Sequence, residues 1–481
     1  MNSGIDCYHS DKPEEACGIF GIYAPGEDVS KLTYFGLHAL QHRGQESAGM
    51  AVSDNQSIII YKDMGLITQV FDERSLATLQ GRIAIGHVRY STTGSNHWEN
   101  AQPVYKTFSS GSLALAHNGN LINTQELRNN LRKSGLRFRS TSDSEVIASL
   151  IASNADKGIG NAIKETMKHI RGAYSVLILT EKQLLAMRDP HGIRPLVIGK
   201  LGDHFIITSE SCALDIVGAK YIRDVSPGEL VIIGEDGLRS EESIRPDKLS
   251  LCIFEFIYFA RPDTKLYGKL LYNARESMGL ELAKEAPCEA DLVIGVPDSG
   301  IPSAIGYSQQ SGIPYREGLV KNRYIGRTFI QPTQVIRQTG IKLKLNPLSE
   351  VIRDKRIVVI DDSIVRGNTS KKLIAMLREA GAKEIHMRIS SPPVKWPCFY
   401  GIDTADQGQL IAANKSIEEI CDFIGADSLS YLSFEGLVKS TENERENFCL
   451  ACFNGDYPVD IPENLKITKL MLEKEQRSTD G

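Results

Sequence analysis

Apolar and polar positions along the chain form two textures. In the first half, short β-branched runs punctuated by glycine predict strands at residues 17–22, 57–61, 83–89, 113–116, 174–180 and 204–208. Apolar residues at helical spacing predict helices at 32–40, 125–133, 143–152 and 162–170. Between them, residues 41–49 (QHRGQESAG) read as a glycine-punctuated turn carrying Arg43, Gln45, Glu46 and Ser47. This is a strand-rich α+β domain, and the charged stretch 235–248 (EDGLRSEESIRPDK) reads as the linker that ends it.

Beyond the linker, strands and helices alternate. Residues 251–259 are an apolar run read as a strand, and 268–286 a long helix. Residues 291–296 (DLVIGV) are a buried strand, closed by Pro297-Asp298-Ser299-Gly300 at a helix start. Further strands fall at 356–360 and 384–390, with a helix at 371–380 whose apolar face holds Leu373, Ile374, Met376 and Leu377. Alternation of this kind implies a doubly wound, mostly parallel sheet. Past Asp456 the chain turns charged, and 466–476 reads as a weak surface helix.

Composition adds bounds rather than direction. A length of 481 residues implies two domains, and 41% hydrophobic with 24% charged residues is ordinary for a water-soluble protein. A net charge of −5 gives no reason to expect nucleic acid or anionic membrane as a partner, and no apolar run reaches membrane-spanning length. The N-terminus MNSGIDCYHSDKPEEA has neither the basic patch nor the apolar core of a secretory signal. Nine cysteines, odd in number and scattered, are no disulfide framework, so the expected compartment is the reducing cytoplasm.

The most informative stretch is 356–373, RIVVIDDSIVRGNTSKKL. A uniformly apolar strand ends in Asp361 and Asp362, a turn containing Gly367 follows, and a helix begins. Backbone N–H groups and the positive helix end favour a phosphate, and the carboxylates can accept from ribose hydroxyls. A strand followed by a solvated acidic turn is the plain alternative. The full string resembles the ribose-phosphate loop of type I phosphoribosyltransferases, which bind phosphoribosyl pyrophosphate (PRPP). That resemblance implies PRPP contacts from Asp361, Asp362, Ser363, Arg366, Gly367, Asn368 and Thr369. The Pro297–Gly300 turn resembles the pyrophosphate loop of the same family, adding Asp298, Ser299 and Gly300, with Mg²⁺ held at Ser299, Asp361 and Asp362. Residues 316–344 hold seven Lys or Arg and one acid, Glu317. A solvated basic face is the plain reading, but KNRYIGRTFIQPTQ (321–334) resembles a loop that closes over PRPP, with Lys321, Tyr324 and Arg327 as its candidates.

Five blocks in the first domain occur in order: CGIFGI, LQHRGQESAGMAV, GHVRYSTTG, AHNGN and TSDSEV. Together they resemble the class II glutamine amidotransferases, which use an N-terminal nucleophile. The resemblance implies that Cys17 attacks the amide, with its own α-amino group as base. Residues 1–16 are then a propeptide, removed by cleavage of the Ala16–Cys17 bond. It further implies Asn118 and Gly119 as oxyanion donors, and Arg89, Thr92 and Asp143 as the holders of the glutamine α-groups.

Cys252, Cys398, Cys449 and Cys452 form a third constellation. Spacing alone cannot join the C-x₂-C pair to its distant partners, and zinc or an iron–sulfur cluster would accept four thiolates equally. The whole chain resembles the amidophosphoribosyltransferases, one branch of which carries both a propeptide and a [4Fe–4S] cluster on cysteines placed like these. The implied fold is an α+β N-terminal-nucleophile glutaminase domain in αββα layers (17–245), followed by an α/β type I phosphoribosyltransferase domain (246–457) with a cluster-binding C-terminal segment, then a tail (458–481). The implied reaction makes 5-phosphoribosylamine, glutamate and pyrophosphate from PRPP, glutamine and water, with ammonia passed between two sites. The resemblance also implies one Mg²⁺ and one cluster per subunit, a homotetramer, and inhibition by purine nucleotides. Two readings compete: an amidotransferase feeding a sugar-phosphate isomerase domain, against which 356–373 argues, and a non-catalytic PRPP sensor, which has no use for Cys17, Asn118 or Asp143.

Overall fold

The computed structural model describes residues 17–90, 97–245, 248–322, 345–402 and 407–461. Among these, the first domain stacks two antiparallel sheets. One runs, edge to edge, Lys220–Asp224, Val197–Leu201, His204–Thr208, Gly18–Tyr23, Ile83–Arg89, Ser47–Ser53 and Ile58–Met64. The other runs Gly237–Glu242, Glu229–Gly234, Leu184–Arg188, Gly172–Thr180, Gly111–Leu121 and Val104–Phe108. Strand alternation sorts the side chains. Ile19 and Tyr23 enter the layer between the sheets with Ala116, Leu177 and Leu184, while Phe20 and Ile22 face the Val29–Ala39 helix. The second sheet covers its outer face with Asp143–Asn154 and Ile159–His169, through Val146, Ile147, Ile151 and Ile163. The layers are therefore αββα.

Two expectations in this domain change. The 41–49 turn is shorter than expected, because Ser47–Ser53 is a fully buried strand paired on both sides. Small residues such as Gly49 fit there because a side chain at that position would lie 2.2 Å from the Gln102 carbonyl oxygen. The linker-like stretch 235–248 contains the Gly237–Glu242 strand, an edge strand whose exposed charges gave it the composition of a loop.

In the second domain a four-stranded parallel sheet runs Leu292–Gly295, Arg356–Asp361, Glu384–Ile389, Ser428–Tyr431. Val293, Val358 and Ile360 pack toward the helices Leu271–Glu285 and Ile301–Ser311. Ile294, Ile357 and Val359 pack the other way, against Asn368–Glu379 and Ile417–Ile424. Both faces are covered, which is why these strands read as continuous apolar runs. The expected strand at 251–259 is a correction: only Leu251–Cys252 is extended, and Glu255–Phe259 is a π-helical turn. The segment is buried almost throughout, so its apolar run carried no period from which strand and helix could be told apart. The long helix starts at Leu271 because a two-residue hairpin, Lys265–Leu266 with Lys269–Leu270, precedes it.

The domains are joined by buried charge. Arg43 donates from Nη2 to Glu255 Oε1 (2.7 Å) and from Nη1 to Glu255 Oε2 (2.9 Å) and Glu210 Oε1 (2.6 Å), and all three side chains are fully buried. The exchange is reciprocal. Glu210, from the first domain, accepts from Thr264 Oγ1 (2.6 Å) and Arg261 N (2.9 Å) of the second, while Glu255, from the second, also meets Arg194 of the first at 3.3 Å. Burial alone would raise the Glu210 carboxyl, but His42 and Arg43 override it and hold the group well below its ordinary 4.5. A depressed folded value means that this contribution is complete above pH 4.5 and is lost as pH falls toward the folded value. Arg43→Leu, which strands two buried carboxylates, should cost on the order of 3–5 kcal/mol. Calorimetric melting against pH should show a steep acid limb in the wild type and a flatter one in Glu210→Gln.

Candidate functional site

Cys17 immediately precedes the Gly18–Tyr23 strand, in the middle of its sheet. Its carbonyl accepts from Arg43 Nε at 3.1 Å, and its thiol donates to the Tyr90 carbonyl at 3.4 Å. Burial pushes the thiol up to about 12, opposed by Arg89 and reinforced by Asp143 and Glu46. Arg89 and Asp143 are thus both near enough to bear on the sulfur. Arg89 is buried and faces Glu46 at 3.9 Å. Asp143, at the first turn of its helix, accepts from Leu121 N at 3.0 Å and lies 3.6 Å from His117 Nδ1. Burial alone would raise the Asp143 carboxyl, but His117 and these backbone donors lower it.

Asn118 and Gly119 lie within the Gly111–Leu121 strand, so the NG pair is no hairpin turn. Asn118 is fully buried, and neither its Nδ2 nor its Oδ1 has a hydrogen-bond partner. An orphaned amide of this kind costs roughly 1–3 kcal/mol unless a ligand completes it. Gly119 has φ +144°, and a Cβ there would sit 2.1 Å from the Ala173 carbonyl oxygen, so only glycine fits.

In the second domain, the acid pair stands at the C-terminal end of the Arg356–Asp361 strand, where ligands of open α/β sheets collect. Asp361 Oδ1 accepts from Asp362 N (2.9 Å), and Asp362 accepts from Ser363 Oγ (2.6 Å) and from Ser299 Oγ (2.5 Å). That last bond brings the Pro297–Gly300 turn to the acid pair. Gly300 has no room for a side chain, since a Cβ would meet the Ile360 carbonyl oxygen at 2.4 Å. Asp298 pairs with Lys321 Nζ at 2.6 Å. Gly367, at φ +82°, caps the 12-residue Asn368–Glu379 helix, and Arg366 Nε donates to Gln409 Oε1 at 3.1 Å. Arg275 is buried behind the pair; burial lowers it to about 10 although Asp362 raises it, and it donates to the carbonyls of Phe256 (2.8 Å) and Ala260 (2.6 Å).

The four cysteines converge. Cys252 and Cys449 are paired in a parallel bridge, and the backbone N–H groups of Lys395 and Trp396 donate to the Cys452 carbonyl at 2.9 and 3.0 Å. All four are free thiols and line one cavity with Arg194, Tyr400 and Tyr457. The Tyr400 N–H points at Cys398 Sγ (3.4 Å), and Arg194 Nη2 is buried without a partner. Among the described residues no group of three or more His, Cys, Asp or Glu is arranged to hold a metal ion. By donor type, though not by arrangement, four thiols fit zinc or an iron–sulfur cluster alike.

Thr92, Tyr324, Arg327 and residues 1–16 lie outside the described residues, as do 323–344 of the basic loop. Its ends, Leu319–Lys321 and Leu345–Pro347, form a short antiparallel pair. Cys212 is buried, and Cys288 and Cys421 are half-buried, none of them near the quartet's cavity. Sequence reasoning missed Glu210, Glu255, Arg194 and Arg275. Glu255 alone carried a clear local signal, a charge inside the apolar run CIFEFIYF.

Residues 87–215 match the glutamine amidotransferase domain family, and residues 269–390 the phosphoribosyl transferase domain family. The chain is 54% identical to the amidophosphoribosyltransferase of Synechococcus elongatus, with 98% of each chain covered. It is 49% identical to that of Bacillus subtilis, covering 93% of this chain and 95% of the other. The solved glutamine PRPP amidotransferase of B. subtilis, complexed with ADP and GMP, superposes with a TM-score of 0.88 at 48% identity, over 93% of this chain and 99% of that one.

Proposed function

The chain belongs to the amidophosphoribosyltransferase family, and from that premise we propose how its residues divide the work. Members transfer the amide nitrogen of glutamine to PRPP, giving 5-phosphoribosylamine, glutamate and pyrophosphate at the entry to purine nucleotide synthesis. The observation that carries the residue assignment is Asn118: a fully buried amide with no partner, on the strand beside the charges that bear on Cys17.

Cys17 is the nucleophile. A thiol held near 12 in the uncleaved chain does not ionise unaided at neutral pH, so a base must take its proton during attack. Cutting the Ala16–Cys17 bond creates that base, the α-amine of Cys17, and residues 1–16 are the propeptide. The amine passes the proton to the departing ammonia, and water then hydrolyses the thioester. Asn118 Nδ2 and Gly119 N–H donate to the oxyanion in both steps. Arg89, with Thr92, holds the glutamine α-carboxylate, and Asp143, ionised because its carboxyl is lowered, holds the α-ammonium.

PRPP occupies the other site. Asp298, Ser299 and Gly300 line its pyrophosphate, while Asp361 and Asp362 take the ribose hydroxyls. Ser363, Arg366, Gly367, Asn368 and Thr369 hold the 5-phosphate at the helix N-terminus. Ser299, Asp361 and Asp362 offer only oxygen donors, the set Mg²⁺ takes, and the ion would neutralise pyrophosphate charge as it leaves. Lys321 leaves Asp298 for the phosphates as Tyr324 and Arg327 close the loop. Ammonia passes between the sites along a shielded path, because ammonium in water has no lone pair to attack C1.

Cys252, Cys398, Cys449 and Cys452 hold one [4Fe–4S] cluster, placing the chain in the propeptide-bearing branch. The shared cavity, the all-sulfur donors and Arg194 Nη2 support this reading. The cluster is structural, since nothing in the reaction needs an electron. Purine nucleotides inhibit, the assembly is a homotetramer, and the compartment is the cytoplasm; among the described residues no helix is long and apolar enough to cross a membrane.

Cys17→Ala should abolish glutamine-dependent synthesis and spare synthesis from high ammonium. Asp361→Asn with Asp362→Asn should remove both while glutamine hydrolysis survives, measured as separate glutamate and pyrophosphate release. Either variant losing everything while well folded would overturn the two-site division. Intact mass should start at Cys17, and anaerobically purified protein should be brown with about four iron and about four sulfide per chain. Colourless, zinc-loaded, active protein would remove the cluster from this account.

A further inference from the structure

We propose that residues 399–401 of the second domain brace the oxyanion donors of the first, which makes Asn120 a positioning residue for glutamine hydrolysis. The proposal rests on the reading of Asn118 and Gly119 given above. Asn120 lies two places beyond Asn118 on the same strand, so the two side chains leave the same face. It is buried, and its Nδ2 donates to the Phe399 carbonyl at 3.0 Å. The next carbonyl, Tyr400, accepts from Arg194 Nε at 3.0 Å. The residue after that, Gly401, lies against both Arg194 and Gly119: a Cβ on Gly401 (φ +108°) would be 3.1 Å from Arg194 Nη2, 3.3 Å from the Gly119 carbonyl carbon and 3.4 Å from its oxygen. Three consecutive residues of the second domain therefore each touch the first, two of them at 119–120.

That stretch needs a brace. On one side, Asn118, Gly119 and Asn120 are paired with Ser175, Tyr174 and Ala173. On the other, the Val104–Phe108 strand pairs only as far as Leu115, so among the described residues no strand flanks 118–120 there. Gly119 is also in a backbone region that contributes no stiffness of its own. An oxyanion donor acts only if it is held where the charge develops, and a displacement near 1 Å costs on the order of 10²-fold in rate. Glutamine recognition comes instead from Arg89 and Asp143, on other elements, Asp143 meeting this strand at His117 and Leu121, on either side of 118–120. Loss of the brace should thus lower kcat and leave KM for glutamine little changed.

The decisive variant is Asn120→Asp, isosteric but presenting an acceptor to the Phe399 carbonyl. Asn120→Gln, which retains the donor, is its conservative partner, and Gly401→Ala presses a methyl toward Gly119 from the other side. Each full-length processed enzyme is assayed for glutamine hydrolysis (kcat and KM separately) and for synthesis from ammonium. Amide hydrogen exchange is followed over 118–121 and 398–401. Asn120→Asp should lose about 10²-fold in kcat with KM and ammonium-dependent synthesis retained, and exchange should quicken in both segments. Asn120→Gln should recover part of the rate. Unchanged kcat and exchange in Asn120→Asp would overturn the brace, as would equal loss of both activities, which marks plain misfolding of the domain. If Asn120→Asp does not fold, Gly401→Ala decides: wild-type kcat there overturns the proposal. Asn118→Ala separates the two readings. Its failure to lower kcat removes the oxyanion assignment itself, whereas a collapsed Asn118→Ala beside an unaffected Asn120→Asp removes only the brace.

Discussion

The two domains meet at the buried Arg43 guanidinium. It is fully buried, and a buried cation is tolerable only if its N–H groups are filled and its charge is matched. Nε holds the Cys17 carbonyl, Nη1 reaches Glu210 and Glu255, and Nη2 reaches Glu255. One side chain thereby fixes the start of the Gly18–Tyr23 strand and a contact between the domains together. Glu255 in turn begins a π-helical turn whose carbonyls at 256 and 260 are gripped by Arg275, the residue behind the Asp361–Asp362 pair. It also meets Arg194, which lines the cysteine cavity. Cys17 and the cavity of the four cysteines are each one arginine from the Glu255 carboxylate, and Arg275 ties the same turn to the Asp361–Asp362 pair through backbone carbonyls.

The fold was readable where burial has a helical period, or where a short apolar run is closed by turn residues. The strand at 356–360 was legible because both faces are covered, and the helix at 371–380 because only one is. Where a segment is buried all round, as at 251–259, the period vanishes, and an expected strand proved to be a π-helical turn. Where an edge strand carries its charges outward, as at Gly237–Glu242, composition imitates a linker.

The sites divide the same way. Cys17, the acid pair and the four cysteines were singled out by order and residue type, and the structure sets the acid pair at a strand end and the four cysteines around one cavity. What positions them was not singled out. Arg43 and Glu255 are 212 residues apart, and nothing local distinguishes a glutamate that will be buried against an arginine from one in solvent. Asn118 was nameable, yet its value as an observation, an amide with neither end satisfied, exists only once the neighbours are in place.

The reciprocal placing of Glu210 and Glu255 bears on modularity. Each domain keeps a carboxylate whose donors lie partly in the other. A cut near residue 245 would leave Arg43 and Arg194 without Glu255, and Glu255 without either cation. The two halves resemble families that exist separately, but this glutaminase cannot be grafted onto another synthase by its linker alone. The acceptor would have to bring a carboxylate to the place of Glu255. The unit that a gene fusion or a recombination event can exchange intact is the charge junction with both its flanks, and that unit is nearly the whole chain.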